Sequence, residues 1–296
     1  MINNLTVTIG IPAYNEQVNI GSLLKSVLAQ KVNLKCEVIV FSDGSTDQTV
    51  NEVLRVKDKK TKLHMGKLRR GKAYRMNQMI VKARGEVVVF IDADVRIRSV
   101  NMLSEMIAPF FKYQNVGVVG GNVIPRNGKN LLQKAIISSV KAYDRARLEV
   151  RNGDNFYSCK GPLLALSKPM AKKLDMPSII SGTDTFIYFK GKALGLKFIY
   201  NHLSKVYYKV PSSFTEHINQ HIRCNFNIVS IGSQFGDIYE TEKKLMRFKL
   251  YKQMCLGLIN NPIQSVYIFV LNTYARFKFL FSSQGTALWS MADSTK

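Results

Sequence analysis

The chain lacks the sequence features of disulfide-bonded, zinc-binding and membrane-spanning proteins. Its four cysteines, Cys36, Cys159, Cys224 and Cys255, are far apart and form neither a Cys-x-x-Cys pair nor a zinc-ligand spacing. No apolar run reaches the roughly 20 residues that a membrane-spanning helix needs. We also expect no signal peptide, because a predicted strand follows Met1 almost directly. These absences favour a reducing, cytosolic compartment in which the cysteines serve as packing residues.

Acidic residues are scarce relative to basic ones. The 296 residues include 43 Lys and Arg but only 20 Asp and Glu, which gives a formal net charge of +23. Such an excess favours a polyanionic partner: nucleic acid, an anionic membrane surface or a phosphate-bearing substrate. The basic residues are spread through the chain and nothing resembles a nucleic-acid recognition motif, so we expect no nucleic-acid partner.

Strand and helix patterns alternate in the first half of the chain. Apolar runs at residues 5–11 and 38–41 predict buried strands, and apolar residues at helical spacing follow each of them. This order is typical of a parallel sheet with right-handed crossovers, and so of an α/β fold. Polar motifs at residues 12–16 and 42–47 come directly after the two strands. Asp43 suits contact with a base or a ribose, although Asp-Gly-Ser is also a common turn sequence.

A third apolar run, at residues 87–91, ends at Asp92, Ala93 and Asp94. Side chains two residues apart on an extended chain point to the same side, and ligands bind at the carboxyl ends of strands in open α/β sheets. Hard divalent cations favour carboxylate oxygens and often lie between a carboxylate and substrate phosphates. The pair therefore suits a cation site; the alternative is a polar strand end that caps the next helix.

A basic segment at residues 67–72 precedes a predicted helix. Cations beside the amide groups of a helix N-terminus suit a diphosphate, and the spacing is not that of a P-loop. The alternative is a solvated charged surface. Downstream, the patterns predict a helix at 100–110, a strand at 116–123, a helix at 131–151, a strand within 156–166 and a helix from the acidic motif at 181–186.

These motifs, in this order, resemble those of family 2 inverting glycosyltransferases. The matching segments are Ile-Pro-Ala-Tyr-Asn-Glu, Ser-Asp-Gly-Ser-Thr-Asp, Gly-Lys-Ala and Gly-Glu-Val-Val-Val-Phe-Ile-Asp-Ala-Asp, and the resemblance covers about residues 5–225. It implies a GT-A fold, with a mostly parallel central sheet and helices on both faces, in a catalytic domain at residues 1–235. Ser42 departs from the family, which often has an aspartate there, and this leaves the base preference open.

The resemblance also implies roles for individual residues. Asp94 would hold Mg²⁺ or Mn²⁺ at the diphosphate, and Asp184 would be the base that removes the proton of the acceptor hydroxyl. Thr183 stands where the family often has an acidic residue. Gly161 and Gln220 would lie on the acceptor side. The residues implied to bind the nucleotide-diphosphate sugar are Pro12, Ala13, Tyr14, Glu16, Asp43, Lys72, Asp92, Ala93 and Arg223.

One further motif resembles the Gln-x-x-Arg-Trp of processive synthases. Gln220 and Arg223 match it, whereas Cys224 replaces the tryptophan and removes a stacking surface for an acceptor sugar. This departure bears on processive polymer synthesis more than on sugar transfer. His217 and His221 nearby are alternative metal ligands, although histidines beside a basic helix usually are not.

Residues 236–296 form a basic, aromatic-rich segment with charges that argue against a membrane-spanning helix. Its pattern favours an amphipathic helix at a membrane interface, and the alternative is a helix that closes the core. We expect a peripheral protein on the cytoplasmic face of an anionic cell membrane, with a glycan or lipid-linked acceptor. A nucleotidyltransferase that makes sugar nucleotides is a competing hypothesis, but it would need a glycine- and arginine-rich loop after the first strand, where this chain has residues 12–16.

Overall fold

The computed structural model describes residues 6–178, 180, 182–282 and 293–295. Its contacts divide the chain into two units, each made of two segments. Met1–Ile124 and Cys159–Tyr207 form the sheet unit, and Pro125–Ser158 and Tyr208–Thr295 form the helical unit. The predicted division at 235/236 differs from this one and stays a prediction.

A seven-stranded sheet organises the sheet unit. Its strands are β1 (Thr6–Ala13), β2 (Lys35–Asp43), β3 (Thr61–Gly66), β4 (Val87–Ile91), β5 (Val116–Pro125), β6 (Leu163–Ser167) and β7 (Lys197–Tyr208). Their spatial order is β3-β2-β1-β4-β6-β5-β7. β1 pairs in parallel with β2 and β4, and β2 pairs in parallel with β3. β6 is antiparallel to β4 and to β5. The predicted α/β fold with a mostly parallel sheet is confirmed.

Nine α-helices lie within the described residues. They are α1 (Ile20–Leu28), α2 (Thr49–Arg55), α3 (Lys72–Lys82), α4 (Met102–Lys112), α5 (Leu131–Leu148), α6 (Lys168–Lys172), α7 (Thr183–Ala193), α8 (Phe214–Asn260) and α9 (Pro262–Leu280). In α1 the buried side chains recur at helical spacing, so one face of the helix covers the core. All five side chains of β4 are buried, as expected of a strand covered on both faces.

The helical unit contains α5, α8 and α9. Its largest described core cluster joins α5, α9 and the segment before α8, through Leu132, Ala135, Ile136, Val210, Ile268 and Leu271. α8 is 47 residues long, but Gly236 within it has non-helical dihedral angles of φ 43° and ψ −116°. A glycine adopts such a conformation at little steric cost, and a break of this kind redirects a helix.

The C-terminal part of the chain is helical as far as Leu280, as predicted. Many of its large apolar side chains are exposed, among them Phe248, Ile259 and Phe281. In the described part of the chain, no helix is both long enough and apolar enough to cross a membrane. Residues 283–292 of the predicted interfacial segment lie outside the described residues.

Candidate active site

The turns after β1 and β2 are hydrogen-bonded to each other. Asn15 adopts a left-handed conformation, with φ of 52°, and its Oδ1 accepts a hydrogen bond from the Thr46 amide at 2.8 Å. The Asn15 amide donates to Ser45 Oγ at 3.1 Å, and the Glu16 amide donates to Thr49 Oγ1 at 2.7 Å. The two polar motifs therefore form one structure at the carboxyl edge of the sheet.

Residues 12–16 lead from β1 into α1. Pro12 and Ala13 still pair with β2, and Ala13 is buried. The ring of Tyr14 lies 4.0 Å below the guanidinium carbon of Arg69, a cation–π contact. Glu16 is only 3% exposed, and its carbonyl accepts the Ile20 amide at the start of α1. These residues position the turn, and their predicted contacts with a donor stay a prediction.

Asp43 is the anchor of the basic loop that precedes α3. Its Oδ1 accepts from the Arg70 amide at 2.8 Å and from Arg75 Nε at 2.7 Å, and its Oδ2 accepts from the Gly71 amide at 2.8 Å. Asp43 and Arg75 are 5% and 4% exposed. Removing one partner of such a buried ion pair is strongly destabilising. The basic segment is thus tied to the end of β2 through its backbone.

Two glycines let this loop pass close to the sheet. Gly44 has φ of +71°, and a Cβ on it would lie 2.8 Å from the Arg69 amide nitrogen. A Cβ on Gly66 would lie 2.0 Å from Nη2 of Arg75, which donates to the Leu68 carbonyl at 2.6 Å. Arg75 was not among the predicted site residues. The available signal was a basic residue next to Met76 on the apolar side of a predicted helix.

Four of the predicted site residues, from four different motifs, lie together. Lys72 begins α3, and its Nζ forms an ion pair with Asp92 and donates to the Gly161 carbonyl at 3.4 Å. The Gly161 amide donates to Oδ2 of Asp184 at 2.9 Å. The Thr185 amide donates to the other carboxylate oxygen, Oδ1, at 2.8 Å. Ser181, the first residue of the acidic motif, lies outside the described residues.

Gly161 leaves room between a cation and a carboxylate. A Cβ at this position would lie 3.2 Å from Lys72 Nζ and 3.4 Å from Asp184 Oδ2. A side chain here would therefore fill the space that these two charged groups border. The geometry agrees with the predicted need for open space at Gly161, and its contact with an acceptor stays a prediction.

The acidic pair forms a tight turn after β4. The Asp92 amide donates to the Pro162 carbonyl at 3.2 Å, Ala93 is buried and Asp94 is half-buried. α4 begins only at Met102, with Asn101 as its N-cap residue. The alternative that the acidic pair caps the next helix is therefore wrong.

The donor groups at this turn fit one mode of metal binding. Within the described residues, no cluster of three or more His, Cys, Asp or Glu side chains could hold a metal ion by itself. Mg²⁺ commonly keeps several waters and binds one or two carboxylates together with substrate phosphates. Asp94 would supply a hard oxygen ligand of this kind, two residues from Asp92, which pairs with Lys72. The site thus fits a metal completed by a substrate, rather than a cage of protein ligands.

Gln220 and Arg223 lie on α8 in the helical unit, the former exposed and the latter half-buried. One turn away, Nε2 of His217 lies 3.0 Å from Oδ1 of Asn272. Nδ1 of His221 is buried and has no hydrogen-bond partner in the described structure. Burial, with His217 and Arg276 nearby, lowers the pKa of His221 to about 4. These contacts place the histidines in a packed helix pair, and the metal-ligand alternative gains no third ligand.

Cys159 lies beneath Asp184. Its Sγ is 3.2 Å from the Asp184 carbonyl oxygen. Complete burial, followed by the nearby Asp184 carboxylate, raises the pKa of the thiol well above its usual range. A thiol held neutral in this way packs and does not react, as predicted for Cys159, whereas Cys224 and Cys255 are exposed and the packing prediction is wrong for them.

Two curated relatives match about half of this chain. It is 31% identical over 135 residues to poly-beta-1,6-N-acetyl-D-glucosamine synthase of Staphylococcus aureus, covering 43% of this chain and 31% of that protein. It is 28% identical over 144 residues to the Escherichia coli UDP-Glc:alpha-D-GlcNAc-diphosphoundecaprenol beta-1,3-glucosyltransferase WfgD, covering 49% of this chain and 56% of that protein. The match therefore spans less than two thirds of either relative.

Solved structures show the same fold. The mannosyltransferase PcManGT from Pyrobaculum calidifontis, in complex with GDP-Man and Mn²⁺, matches with a TM-score of 0.66 at 19% identity, over 94% of this chain and 88% of that one. Glucosyl-3-phosphoglycerate synthase from Mycobacterium tuberculosis, in complex with Mn²⁺, UDP and phosphoglyceric acid, matches with a TM-score of 0.56 at 18% identity, over 78% and 79% of the two chains. The predicted GT-A-type fold is confirmed. Since the family model described as glycosyl transferase family 2 matches residues 8–171, more than half of the 296, the chain belongs to that family.

Proposed function

We propose that this chain is an inverting glycosyltransferase that moves a sugar from a nucleotide-diphosphate sugar to a hydroxyl group of a glycan or lipid-linked acceptor. The observation that carries the proposal is the group formed by Lys72, Asp92, Gly161 and Asp184. It brings a cation, a strand-end carboxylate and a second carboxylate around an unfilled space. Transfer with inversion needs these elements: charge to hold a leaving diphosphate, and a base on the acceptor side.

Asp184 is the proposed base. Backbone amides of Gly161 and Thr185 bind its two oxygens, so the carboxylate is fixed in orientation. Each carboxylate oxygen can accept a second hydrogen bond, which leaves capacity for the acceptor hydroxyl. Asp184 then takes the hydroxyl proton while the hydroxyl oxygen attacks the sugar carbon opposite the diphosphate. One carboxylate is sufficient for this step.

Lys72 and the acidic turn are the proposed donor side. Lys72 is held between Asp92 and the Gly161 carbonyl, where its ammonium group can lie against a phosphate oxygen. Asp94 would hold Mg²⁺ or Mn²⁺, and a bound divalent cation supplies positive charge to the diphosphate. The Mn²⁺ complexes of structural neighbours support the use of a divalent metal. The remaining donor-binding candidates are Pro12, Ala13, Tyr14, Glu16, Asp43, Ala93 and Arg223, and the further acceptor candidate is Gln220.

The names of relatives support a polysaccharide or lipid-linked acceptor. One is a poly-N-acetylglucosamine synthase, and the other acts on a sugar carried by diphosphoundecaprenol. The two structural neighbours contain GDP-Man and UDP, so the assay panel includes both guanosine and uridine diphosphate sugars.

We place the chain at the cytoplasmic face of an anionic membrane, as a peripheral protein. The support is the joint exposure of apolar and basic side chains on the last two helices. Phe248 and Ile259 are 72% and 76% exposed, and Lys244 and Arg247 lie exposed on the same helix. Near an anionic leaflet each such cation contributes about 1 kcal/mol, and buried apolar area adds to it.

Two substitutions test the enzymatic proposal, one for the catalytic base and one for metal-dependent donor binding. Asp184→Asn keeps the shape of the side chain but removes the base, so transfer should fall by roughly 10²–10⁴ while donor affinity is unchanged. Asp94→Asn should instead abolish metal-dependent donor binding. The measurements are mass spectrometry of products from a panel of sugar nucleotides and calorimetry with nucleoside diphosphates, with and without Mn²⁺.

The matched control is Asp175→Asn, which alters an exposed carboxylate of the sheet unit and should change neither quantity. Near-normal transfer by Asp184→Asn would show that another residue is the base. Metal-dependent nucleotide affinity that survives Asp94→Asn would remove Asp94 from the metal site.

A further inference from the structure

The helical unit contains a cationic pocket that has no part in the chemistry proposed above. Its volume is about 350 Å³, and its polar lining consists of Asn127, Lys134, Ser138, Lys141, Asn261 and Gln264. The lining includes two ammonium groups and no carboxylate. A pocket of this size lies at the lower end of the range for small-molecule sites.

Firmly packed elements form the walls. Lys134, Ser138 and Lys141 are spaced four and three residues apart on α5, and so lie on one face of it. Ile137, which also lines the pocket, packs against the buried cluster that joins α5 and α9. The α5 wall of the pocket is therefore held in place by packing within the helical unit.

The loop on the other side of the pocket is also fixed. The Lys129 amide donates to Gln133 Oε1 at 2.8 Å, and the Gln133 amide donates to Asn130 Oδ1 at 2.8 Å. A Cβ on Gly128 would lie 2.8 Å from the Cβ of Gln133, so the loop backbone lies directly on α5.

The two pocket lysines have no acidic partner in the described structure. Elsewhere in the same unit lysines do pair: Lys249 and Lys252 lie 3.2 and 3.5 Å from Glu149. Lys134 and Lys141 are both exposed, and ammonium groups that line one pocket with amides and a hydroxyl suit an anion with several acceptor oxygens. The first turn of α9, which contributes Gln264, adds amide groups and contains no acidic residue.

An exposed apolar stripe begins beside the pocket. Ile263, Val266 and Val270 are 68%, 53% and 58% exposed, and their spacing places them along one side of α9. Ile263 directly precedes Gln264 of the pocket lining. A ligand with a phosphate at one end and an apolar body at the other matches both features.

We propose that this pocket binds the terminal phosphate or diphosphate of a membrane lipid. The proposal rests on the proposed membrane location and specifies which headgroup chemistry the helical unit recognises. Lys134 and Lys141 contact the phosphate oxygens, and the α9 stripe lies against the acyl or prenyl chain. A free phosphate compound shares the headgroup chemistry but not the apolar contact.

Vesicle sedimentation of the full chain tests this. Phosphatidylcholine vesicles contain either phosphatidic acid, which has a terminal phosphate, or phosphatidylserine at matched surface charge. The wild type should prefer phosphatidic acid. Lys134→Gln/Lys141→Gln should lose at least about tenfold of this affinity, because the variant removes both cations that contact the phosphate. The control Lys172→Gln/Lys173→Gln removes the same charge from exposed positions of the sheet unit, outside the proposed membrane segment, and should keep both the affinity and the preference.

Each other outcome overturns the proposal in a distinguishable way. Equal losses in both double variants would mean that bulk charge alone acts. Calorimetric binding of glycerol 3-phosphate as tight as that of the vesicles would make a soluble phosphate the ligand. Equal binding of the wild type to both vesicle types would refute phosphate recognition by the pocket but not the membrane location. Binding to neither vesicle type would refute both. Sugar transfer, measured in parallel, reports on the enzymatic proposal independently.

Discussion

The sheet unit and the helical unit use the same apolar residue types in opposite ways. The five side chains of β4 are at most 4% exposed, whereas Phe269, Phe277 and Leu280 of α9 are 60%, 59% and 73% exposed. Both segments read as hydrophobic in the sequence. The difference shows that hydrophobicity identifies a surface that needs a partner, while the partner itself follows only from the fold or from another molecule.

The charges of the two units differ in a similar way. In the sheet unit Asp43 and Arg75 are buried against each other, and Lys72 pairs with Asp92 at the site. In the helical unit, Lys134 and Lys141 border a pocket without an acidic partner in its lining. These charges of the sheet unit hold its internal geometry, whereas the two pocket lysines of the helical unit are exposed.

The largest expected effect compares a buried with an exposed apolar side chain of the helical unit. Leu271 is 6% exposed and packs between helices. Leu271→Ser should lower the free energy of unfolding by about 3 kcal/mol and lower the Tm. Ile259 is 76% exposed, so Ile259→Ser should lower the free energy of unfolding by less than about 0.5 kcal/mol. Ile259→Ser should instead weaken binding to anionic vesicles. Thermal unfolding that shows equal losses would mean that Ile259 is covered in solution, and the comparison would fail.

A glycine-to-alanine substitution in each unit tests whether the space beside Gly161 is needed for activity. Gly161→Ala should reduce turnover at least about tenfold, because the methyl fills the space that Lys72 Nζ and Asp184 Oδ2 border, at 3.2 and 3.4 Å. Gly232→Ala, in α8, meets Tyr239 at an ordinary 3.5 Å and should leave turnover unchanged. The kinetics of both variants, with their Tm values as folding controls, check this. Normal turnover in Gly161→Ala would exclude the space beside it from the acceptor path.

The smallest expected effect concerns acid stability. Burial lowers the pKa of His221 to about 4, with further lowering from His217 and Arg276, so the folded helical unit favours the neutral ring. The neutral His221 ring contributes fully to the free energy of unfolding above its unfolded pKa of about 6.5, and this contribution is lost as the pH falls towards 4. After allowance for partial exposure, the loss is about 1–2 kcal/mol. His217, whose pKa burial also lowers, acts in the same direction.

The sheet unit should respond at lower pH. Burial opposes ionisation of Glu37, but hydrogen bonds from Lys62, Arg84 and Thr8 outweigh it, and the pKa of Glu37 falls below 4.5. Its contribution is present above pH 4.5 and is lost below. His64 in β3 has a lowered pKa but is largely solvated, so its effect is small. Hydrogen exchange should therefore show the helical unit opening first between pH 6.5 and 4.5. His221→Gln should remove much of this difference, and the exposed His202→Gln should not.

The sequence predicted the buried strands well because continuous apolar runs leave few alternatives. It missed β3, where five residues are half-buried and one is exposed, since an edge strand needs no apolar pattern. It also missed β7, whose exposed Lys197 and Lys205 interrupt any apolar run, and α6, which has only five residues. An apolar periodicity arises from burial, and strands at the edge of the sheet bury too few side chains to show one.

The site shows the same division. Motif order was enough to predict Lys72, Asp92, Gly161 and Asp184, which the structure brings together. It could not indicate that Asp43 is bound to Arg75, because that contact depends on the path of the loop between them. The deep burial of both charged groups follows from this path alone.

Gly66 and Arg75 have a consequence for how this chain can change over time. Arg75 Nη2 lies where any side chain at position 66 would begin, and Asp43, Leu68 and Gln78 hold the guanidinium in place. Replacing the glycine first would displace the arginine, and shortening the arginine first would leave the buried Asp43 without its cationic partner. Positions 43, 66 and 75 are therefore epistatic: the effect of a substitution at one of them depends on which residues occupy the other two. Among descendants, a side chain at position 66 should occur only with a smaller residue at position 75.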